Sequence, residues 1–599
     1  MRGGVVIAFL CFSFLLKGQE VISHLVSNPI VKSERLFFQK NKNSLALPFI
    51  DDFSYNSSVV NPDLWEQSSV FVNRTYSINP ITIGVATFDG LDQYGFARDF
   101  FPSSPSEPSD TLLSQAINLG GQSSLYFMFY FQGKGRGDVP EMQDTLVLEF
   151  LNDTFNWEMI WFSNGQTMLD SVFEKVVHVI DEQKFMHSAF QFRFRNYATI
   201  SGNFDHWHID YVKLDELLSI SDTTELNDVS FVYSAPSFLK RYEQMPWSHF
   251  KDNKMAEMND TAAIFLRNNE ASINVDYYYN IFENSTQIAH YPTSGVSRNE
   301  SIFDFDSTSE NFQYKNPPIS VSASVFSSLM PDNVSFLIQH VIGTGQEDNK
   351  WNDTLYYQQE FNSRFAYDDG TAESAYGINV NGAKLAYEFK LNHPDTLRAI
   401  QMYFPQMLDA VNHIPFNLTI WENTNGFPGD ILYSQSVFPV HTENGGYHTY
   451  YIEYPFEIEG TFYVGWEQTT DDLLNIGLDK NNEAHQYMYY NLGAGWNNSI
   501  YPGSWMIRPI VSMEQIISAV VDLKPSFRVY PNPTVDILII ESKTDKNQIS
   551  IYSIQGVLLK EMYSAGFITS INITDLSPAV YFIEVLNKED KQYQKFIIE

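Results

Sequence analysis

Cysteine is almost absent from this sequence of 599 residues, in which Cys11 is the single example. Cys11 lies inside an apolar run near the N-terminus, from Val5 to Leu16. If this run is removed as a targeting segment, the remaining chain has no thiol. That excludes disulfide bonds and catalysis by a cysteine nucleophile.

Basic residues are also scarce. Lys and Arg number 37 against 72 Asp and Glu, which gives a formal net charge of −35. A surface field of this sign repels nucleic acid and anionic lipid, whereas it favours solubility and attracts divalent cations. The composition therefore excludes nucleic acid as a partner.

Long hydrophobic runs are missing too. The run from Val5 to Leu16 is interrupted only by Ser13 and follows the positively charged Arg2. At about 1.5 Å per residue it is too short for a bilayer core of about 30 Å, but it suits a signal peptide. We predict a signal peptide at residues 1–18 and no transmembrane segment in the mature chain.

Signatures of catalysis are absent as well. The sequence has no Gly-x-Ser-x-Gly, no phosphate-binding loop, no His-Glu-x-x-His and no dinucleotide fingerprint. We therefore favour a protein that is not an enzyme. Polysaccharide hydrolysis by paired carboxylates stays an open alternative, because the separation of roughly 5–10 Å that such a pair needs is invisible in a sequence.

Aromatic side chains, in contrast, are abundant and make up 15% of the chain. They occur in short alternating runs, such as Phe190, Phe192 and Phe194, which are separated by polar residues. A period of two residues is typical of a half-buried strand, and no long stretch keeps a helical period. We predict an all-β fold built from tandem β-sandwiches.

Turn signals and breaks in this pattern divide the chain into seven segments. We predict a signal peptide at 1–18, a leader or linker at 19–46, a jelly-roll β-sandwich at 47–215, an immunoglobulin-like β-sandwich at 216–361, a second jelly-roll-like β-sandwich at 362–513, a linker at 514–526 and a small immunoglobulin-like domain at 527–599.

Acidic residues lie at both ends of the first jelly roll. Asp51 and Asp52 open it, and Asp210 lies in its last predicted strand. The first and last strands of a jelly roll often lie close, and Ca²⁺ takes six to eight oxygen ligands at about 2.3–2.6 Å. We predict a structural calcium site from these three residues. The alternative is that they cap turns and bind the backbone.

Two histidines in the same predicted strand could be metal ligands. His206 and His208 face one side of the strand, as a zinc pair would. A zinc site needs at least a third ligand, and the sequence has no His-Glu-x-x-His or comparable motif to supply it. Hydrogen-bonded strand histidines are therefore the preferred interpretation.

Two further features have both a structural and a functional interpretation. Asp368, Asp369 and Glu373 could hold a cation, but Asp-Asp-Gly is favoured here as a turn. The tyrosine clusters at 277–279 and 487–490 could stack on sugar rings. Tyrosine is also a frequent core and rim residue of β-sandwiches, so both interpretations stay open.

The C-terminal segment 527–599 contains several short motifs in a fixed order. They are Val-Tyr-Pro-Asn-Pro at 529–533, Ile-Tyr at 551–552 ending at Gln-Gly, and Leu-Ser-Pro-Ala-Val-Tyr-Phe at 576–582. This segment resembles the type A C-terminal sorting domain of proteins exported by the bacterial type IX secretion system. The resemblance implies that the type IX machinery is a partner and that a sorting motif is formed by Tyr530, Pro531, Asn532, Pro533, Gly556 and Tyr581.

The preceding modules have weaker resemblances. Asp-Asp-Phe at 51–53 and Asp-His-Trp-His-Ile-Asp-Tyr-Val at 205–212 resemble concanavalin-like or MAM-like modules of surface proteins. Tyr-Asp-Asp-Gly-Thr-Ala-Glu at 367–373 resembles the opening of a jelly roll found in type IX cargo. Eight Asp-Thr or Asp-Ser triplets are similar to the O-glycosylation sequon of bacteria with this export machinery, at Thr111, Thr145, Ser171, Thr223, Thr261, Ser307, Thr354 and Thr396.

Both ends of the chain indicate export. We predict a secreted or cell-surface protein, associated with the outer membrane of a Gram-negative bacterium. Its expected role is adhesion, binding of a glycan or extracellular protein, or structural presentation. The alternative is a secreted polysaccharide hydrolase or an accessory subunit of one. Beyond calcium, no cofactor is expected.

Overall fold

The chain forms two compact units, Met1–Met513 and Glu514–Glu599, in a computed structural model. The residues described are 20–28, 30–31, 44–99, 106–219, 226–259, 261–269, 271–293, 295, 297–315, 334–344, 349–407, 414–442, 446–511, 527–542, 546–553, 558–586 and 591–598. The predicted signal peptide and the predicted linker at 514–526 lie outside them. Strands dominate the described regular structure, so the predicted all-β class is confirmed.

The larger unit begins with a two-sheet sandwich. The first strand of the chain, β1 (Glu20–Ser23), belongs to a different sheet, which is described below. The strands of the sandwich are, in chain order, β2 (Phe49–Asp51), β3 (Trp65–Ser68), β4 (Phe71–Asn73), β5 (Val85–Phe88), β6 (Ser106–Ser114), β7 (Leu125–Gly133), β8 (Thr145–Leu151), β9 (Trp157–Asn164), β10 (Glu174–Ile180), β11 (Phe192–Thr199) and β12 (Trp207–Glu216). One sheet has the order β10-β7-β12-β5-β4 with β2 beside β12, and the other has the order β3-β6-β11-β8-β9.

The core of this sandwich is aromatic. Phe127, Phe192 and Trp207 are fully buried between the two sheets, and a short 3-10 helix at Gln183–Phe185 adds Phe185. Alternation along β11 buries Phe192 and Phe194 and leaves the residues between them facing outward. This period of two residues is the one that the sequence predicts.

The described residues in the middle of the larger unit form two sheets and three short α-helices. Its elements are β13 (Val229–Phe231), β14 (Met245–Pro246), α1 (Trp247–Asp252), α2 (Lys254–Glu257), β15 (Ala263–Asn268), β16 (Ile273–Glu283), β17 (Thr286–Tyr291), β18 (Arg298–Ile302), α3 (Phe305–Thr308), β19 (Phe312–Lys315), β20 (Val334–Gly343) and β21 (Thr354–Asn362). The sheet orders are β13-β15-β19 and β14-β21-β20-β16-β17, with β18 also beside β16. A 3-10 helix spans Lys350–Asn352.

The sequence Met-Pro-Trp at 245–247 predicts a turn, but the structure has the two-residue strand β14 followed directly by α1, because Trp247 and Phe250 pack one buried face against Phe361. The sequence also predicts a strand at 320–326, which lies outside the described residues.

The last part of the larger unit forms three sheets. Its strands are β22 (Ser374–Ile378), β23 (Lys384–Lys390), β24 (Asp395–Met402), β25 (Phe416–Thr424), β26 (Phe427–Val437), β27 (His448–Ile458), β28 (Thr461–Glu467), β29 (Leu474–Asp479), β30 (Met488–Asn491), β31 (Trp496–Asn498), β32 (Ser504–Trp505) and β33 (Ile507–Val511), with a 3-10 helix at His485–Tyr487. The sheet orders are β26-β25-β28-β23-β30-β31, β27-β24-β33 and β1-β22-β29-β32.

Two connections tie the larger unit together. β1, which lies in the predicted leader or linker at 19–46, pairs antiparallel with β22, so that Glu20 faces Ile378. One continuous hydrophobic cluster contains buried side chains from both the middle and the last part, including Trp247 and Trp466. The proposed boundary at residue 361 therefore crosses a shared core.

The smaller unit is a separate sandwich, in which the described residues form seven strands. They are β34 (Phe527–Tyr530), β35 (Ile537–Ser542), β36 (Lys546–Ser553), β37 (Leu558–Ala565), β38 (Ile568–Asn572), β39 (Ala579–Leu586) and β40 (Lys591–Ile598). The sheets β34-β35-β38 and β37-β36-β39-β40 enclose their own core, in which Leu538, Ile583 and Phe596 are fully buried.

Candidate functional site

The outer face of the sheet β3-β6-β11-β8-β9 carries a mixed aromatic and charged surface. Because Phe192 and Phe194 point into the core, Arg193 and Arg195 point outward. The strand register places Glu149 between Arg193 on one side and Met159 on the other. We call this surface the arginine face; it consists of Thr111, Leu113, Val147, Glu149, Trp157, Met159, Phe162, Arg193, Arg195 and Tyr197.

The centre of the arginine face is a carboxylate held by two guanidinium groups. Glu149 Oε2 accepts hydrogen bonds from Arg193 Nε at 2.5 Å and from Arg195 Nε at 2.9 Å, and its Oε1 accepts from Arg195 Nη2 at 2.9 Å. Burial alone would raise the pKa of Glu149, but the hydrogen bonds from Arg195 and Arg193 outweigh it and hold that pKa below its usual value. Glu149 is therefore ionised at neutral pH, and the trio carries one excess positive charge.

Aromatic and apolar side chains surround this trio. The Arg193 guanidinium lies 4.2 Å from the centroid of the Trp157 ring, and that of Arg195 lies 6.0 Å from the Tyr197 ring. Met159 is 62% exposed and Phe162 is 53% exposed. Apolar side chains with this exposure, beside arginines fixed by ion pairs and ring contacts, can pack against a ligand without first rearranging.

The central strands β7 and β12 of the opposite outer face are covered. Met128 and Tyr211 are buried there in a cluster with Ile81 and Leu226. Asp210 accepts hydrogen bonds from the backbone N–H groups of Ile81 and Thr82, both at 2.9 Å. The edge strand β10 of that sheet stays exposed at Val177 and Val179, whereas the centre of the arginine face is accessible at Met159 and Phe162.

The predicted calcium residues lie close to one seam, because β2 pairs with β12 and Asp51 faces Val212. Asp51 accepts from Phe53 N and from Trp65 Nε1, at 3.0 and 2.6 Å. Asp52 accepts from Ser54 N at 3.1 Å through Oδ1, and from two asparagine amides through Oδ2. The adjacency of the strands is as predicted, and all three carboxylates already accept protein hydrogen bonds. Calcium binding at this seam stays a prediction.

Burial dominates the electrostatics of that seam. It raises the pKa of Asp51 to about 7, and it also raises the pKa values of Asp52 and Asp210. A buried carboxylate with a raised pKa favours its neutral form over an ionised form.

The two strand histidines are buried and hydrogen-bonded. His206 Nδ1 accepts from Asp138 N at 2.9 Å, and His208 Nδ1 lies 2.8 Å from Thr87 Oγ1. Burial lowers the pKa of His208 to about 4 and lowers that of His206 as well. This arrangement agrees with the preferred interpretation of hydrogen-bonded strand histidines.

The acidic motif at 368–373 forms the expected turn. Asp368 Oδ1 accepts from Gly370 N at 3.0 Å, and Asp369 Oδ1 accepts from Thr371 N at 2.8 Å. Asp368 also forms a buried ion pair with Arg508. Glu373 Oε2 accepts from Lys480 N at 2.9 Å, so this motif is integrated into the fold of the larger unit.

The predicted tyrosine clusters contribute mainly to packing. Tyr277 and Tyr279 are buried, and Tyr278 is half-buried between them. Tyr487 stacks against Tyr367 at 5.2 Å between ring centroids and lies beneath Arg241. Neither cluster offers a broad exposed aromatic surface in the described part of the chain.

The triplet residues differ in accessibility. Thr261 is exposed, whereas five others are half-buried: Thr111, Thr145, Ser171, Thr354 and Thr396. Ser307 lies in α3, and Thr223 lies outside the described residues. In four triplets the preceding aspartate is buried, namely Asp110, Asp144, Asp353 and Asp395.

The predicted sorting motif is on the smaller unit. Asn532 Oδ1 accepts from Ile597 N at 2.9 Å and its Nδ2 donates to Lys595 O at 3.2 Å, which fixes the segment 530–533 against β40. The Tyr530–Pro531 and Asn532–Pro533 peptide bonds are both cis. Tyr581 is buried and donates to Ser577 O at 2.7 Å. Gly556 lies outside the described residues.

Comparison with known protein families identifies this unit. Residues 528–599 match the secretion system C-terminal sorting domain. No curated protein matches the chain. Among the described residues, no helix has the length and apolar character needed to cross a bilayer.

Similar solved structures were found at low scores. PorZ, a bacterial surface component of the type IX secretion system of Porphyromonas gingivalis, is 17% identical over 22% of this chain and 17% of its own, with a TM-score of 0.12. TmCBM61 in complex with β-1,4-galactotriose is 13% identical over 30% and 99%, with a TM-score of 0.17. The CBM22-1–GH10 modules of Clostridium thermocellum xylanase 10B are 12% identical over 33% and 32%, with a TM-score of 0.19. These scores are too low to support an assignment.

The sorting domain determines where the protein goes. The chain is cargo of the type IX secretion system, and the protein is secreted or attached to the surface of a Gram-negative bacterium. The arginine face belongs to the other unit of the same chain, so it is exported together with the sorting domain.

Proposed function

We propose that the protein binds carbohydrate outside the cell and that the arginine face is the binding surface. The observation that carries the proposal is the Glu149–Arg193–Arg195 trio beside Trp157, Met159 and Phe162 on an accessible sheet face. Sugar rings pack on aromatic and apolar faces, while fixed polar groups select their hydroxyl or carboxylate groups.

The two arginines provide the polar contacts. Each guanidinium has five N–H groups, and Glu149 engages one of those of Arg193 and two of those of Arg195. N–H groups therefore remain to donate to a ligand. Because the trio has one excess positive charge, sugars that carry a carboxylate or sulfate are favoured over neutral sugars.

The same geometry argues for binding rather than hydrolysis at this face. A glycosidase needs a general acid whose pKa is raised, together with a second carboxylate. Glu149 has a pKa below its usual value because Arg195 and Arg193 stabilise its ionised form. An ionised, doubly paired carboxylate cannot protonate a leaving group.

The remaining assignments extend this proposal. Residues 47–215 would be a concanavalin-like or MAM-like binding module. The segments 216–361 and 362–513 would present this module, and calcium at Asp51, Asp52 and Asp210 would stabilise it.

O-glycosylation is proposed at the Asp-Thr and Asp-Ser triplets. Thr111 and Thr145 lie on or beside the arginine face, since they flank Arg195 and Tyr197 in the strand register. Glycans there would restrict access to it.

A glycan array tests the proposal with the exported protein and two variants. We expect binding to acidic polysaccharides, and we expect Phe162→Ala to weaken it about fivefold or more, because the analogous stacking of a nucleic-acid base on an aromatic side chain contributes roughly 1–3 kcal/mol. Tyr454→Ala removes a ring that is 74% exposed on β27 and serves as the matched control. Absence of glycan binding, or equal losses in both variants, would contradict the proposal.

A further inference from the structure

Three acidic side chains converge at one end of the first sandwich, away from the arginine trio and from the β2–β12 seam. Asp144 directly precedes β8, Glu141 lies in the loop before it, and Asp205 lies in the loop before β12. One carboxylate oxygen from each lies within 4.8 Å of the other two. Within the described ranges, these three residues form the group of His, Cys, Asp or Glu side chains whose ligand atoms lie close enough together to hold one metal ion.

The local hydrogen bonds leave this cluster incomplete. Asp144 is fully buried; its Oδ2 accepts from Glu141 N at 2.8 Å, but its Oδ1 has no partner among the described residues. Asp205 Oδ2 accepts from Thr199 N at 2.6 Å. Ser106 faces Thr199 across β6 and β11, and its buried Oγ makes no short hydrogen bond in the described part of the chain, although it lies near enough to the Asp144 carboxyl to favour its ionised form. Buried oxygens without a partner are costly, and a bound ion is one way to satisfy them.

The charges in the cluster are not balanced by cations. Among the described residues, none of the three carboxylates forms an ion pair with a lysine, arginine or histidine. Burial raises the pKa of Asp205 to about 8, with Asp144 and Glu141 adding to the effect. Burial and the adjacent Glu141 carboxyl raise the pKa of Asp144 to about 6. Each group thus makes ionisation of the others more costly.

We propose that Glu141, Asp144 and Asp205 form a calcium site. The ligands are all oxygens, which suits a hard cation rather than zinc or copper. Two oxygens on opposite sides of a calcium ion, each at about 2.4 Å, are about 4.8 Å apart, so the spacing of the cluster permits simultaneous coordination. Ser106 Oγ and water would complete the shell.

The position of the site gives the ion a structural role. It would join the loop before β8 to the loop before β12, which are distant in sequence. Thr145, the first residue of β8, faces Tyr197 of the arginine face. A calcium ion at Asp144 would therefore fix the end of the strand that carries Glu149.

Calorimetry on the full exported chain, freed of metal by chelation, tests this assignment with calcium chloride as the titrant. We expect calcium to raise the melting temperature. Both Asp144→Asn and Asp205→Asn should weaken calcium binding at least tenfold. Asp170→Asn, which removes an exposed acid paired with Lys134, should leave calcium affinity unchanged.

A second variant keeps the test decisive if the buried substitutions prevent folding. Glu141 is exposed, so Glu141→Gln should fold. It should weaken calcium binding yet raise the melting temperature of the metal-free protein, because it removes like-charge repulsion. No calcium effect on the wild-type protein would overturn the proposal. Calcium affinity that is unchanged in Glu141→Gln would place the ion elsewhere and would equally overturn it.

Discussion

The arginine and glutamate side chains on β8 and β11 form a surface whose local charge is opposite in sign to the net charge of the whole chain. The net charge is −35, yet the Glu149–Arg193–Arg195 trio is locally positive. Alternation on β11 predicts that Arg193 and Arg195 share an outward face. No sequence signal predicts that Glu149 lies opposite them, because the register of β8 on β11 is set by tertiary packing.

Replacing Glu149 by Gln tests the energetic role of this trio. We expect Glu149→Gln to lower the free energy of unfolding at pH 7 by about 1–3 kcal/mol, since hydrogen bonds to charged groups contribute about this much and two half-buried arginines lose their counterion. Urea denaturation measures the change. Glu158→Gln is the control, because Glu158 forms a comparable pair with Lys184 in a more exposed position, where a small effect is expected.

The pH dependence of this difference follows from the pKa of Glu149. Its folded-state pKa is lowered from a reference value of 4.5. The stabilisation is therefore fully present above about pH 4.5 and is lost as the pH falls through the lower folded-state pKa. The difference in the free energy of unfolding between the wild type and Glu149→Gln should therefore become smaller as the pH is lowered. A constant gap would show that charge pairing is not its cause.

The sequence predicts the positions of individual strands better than it predicts which strands pair with each other. The alternating run of Phe190, Phe192 and Phe194 predicts a strand, and Phe192 and Phe194 lie in β11. β1 was not predicted, because its short sequence gains its stability from pairing with β22 rather than from a pattern of its own. The helix α1 was also missed: it is short, and its buried face is recognisable only beside Phe361.

Truncation tests the contribution of β1. A chain that begins at residue 24 should be less stable than one that begins at residue 20. The expected difference is on the order of 2–4 kcal/mol, because ladder hydrogen bonds are lost and the buried Tyr376 hydroxyl no longer donates to Glu20 Oε1 at 2.6 Å. Chemical denaturation of both chains measures it. Equal unfolding midpoints would show that β1 does not stabilise the unit.

At the scale of the whole molecule, the sequence predicted the export route and the fold class but not the extent of the shared core. The sorting motifs are local and ordered along the chain, so a sequence carries them directly. The cluster that joins Trp247 to Trp466 depends on contacts between distant segments. The candidate binding face and the carboxylate cluster were missed for the same reason.

Export of a reporter tests the sorting function. A reporter with a signal peptide and residues 514–599 should reach the outside of a type IX-competent host, whereas one that ends before residue 528 should stay in the periplasm. We expect Asn532→Ala to reduce export, because it releases the segment 530–533 from β40. Asn572→Ala is the matched control, since the Asn572 side chain accepts hydrogen bonds from Thr574 within a local turn and, among the described residues, from no other strand. Retention of the reporter with the intact tail would refute this assignment.

The pairing of Glu20 with Ile378 also constrains the order of events during synthesis and translocation. A chain that crosses the inner membrane from its amino end delivers β1 long before β22 emerges. Until then, β1 has an unpaired backbone edge that could pair with another chain and cause aggregation. Native closure of that sheet is thus a late step, which can take place only after residue 378 has crossed.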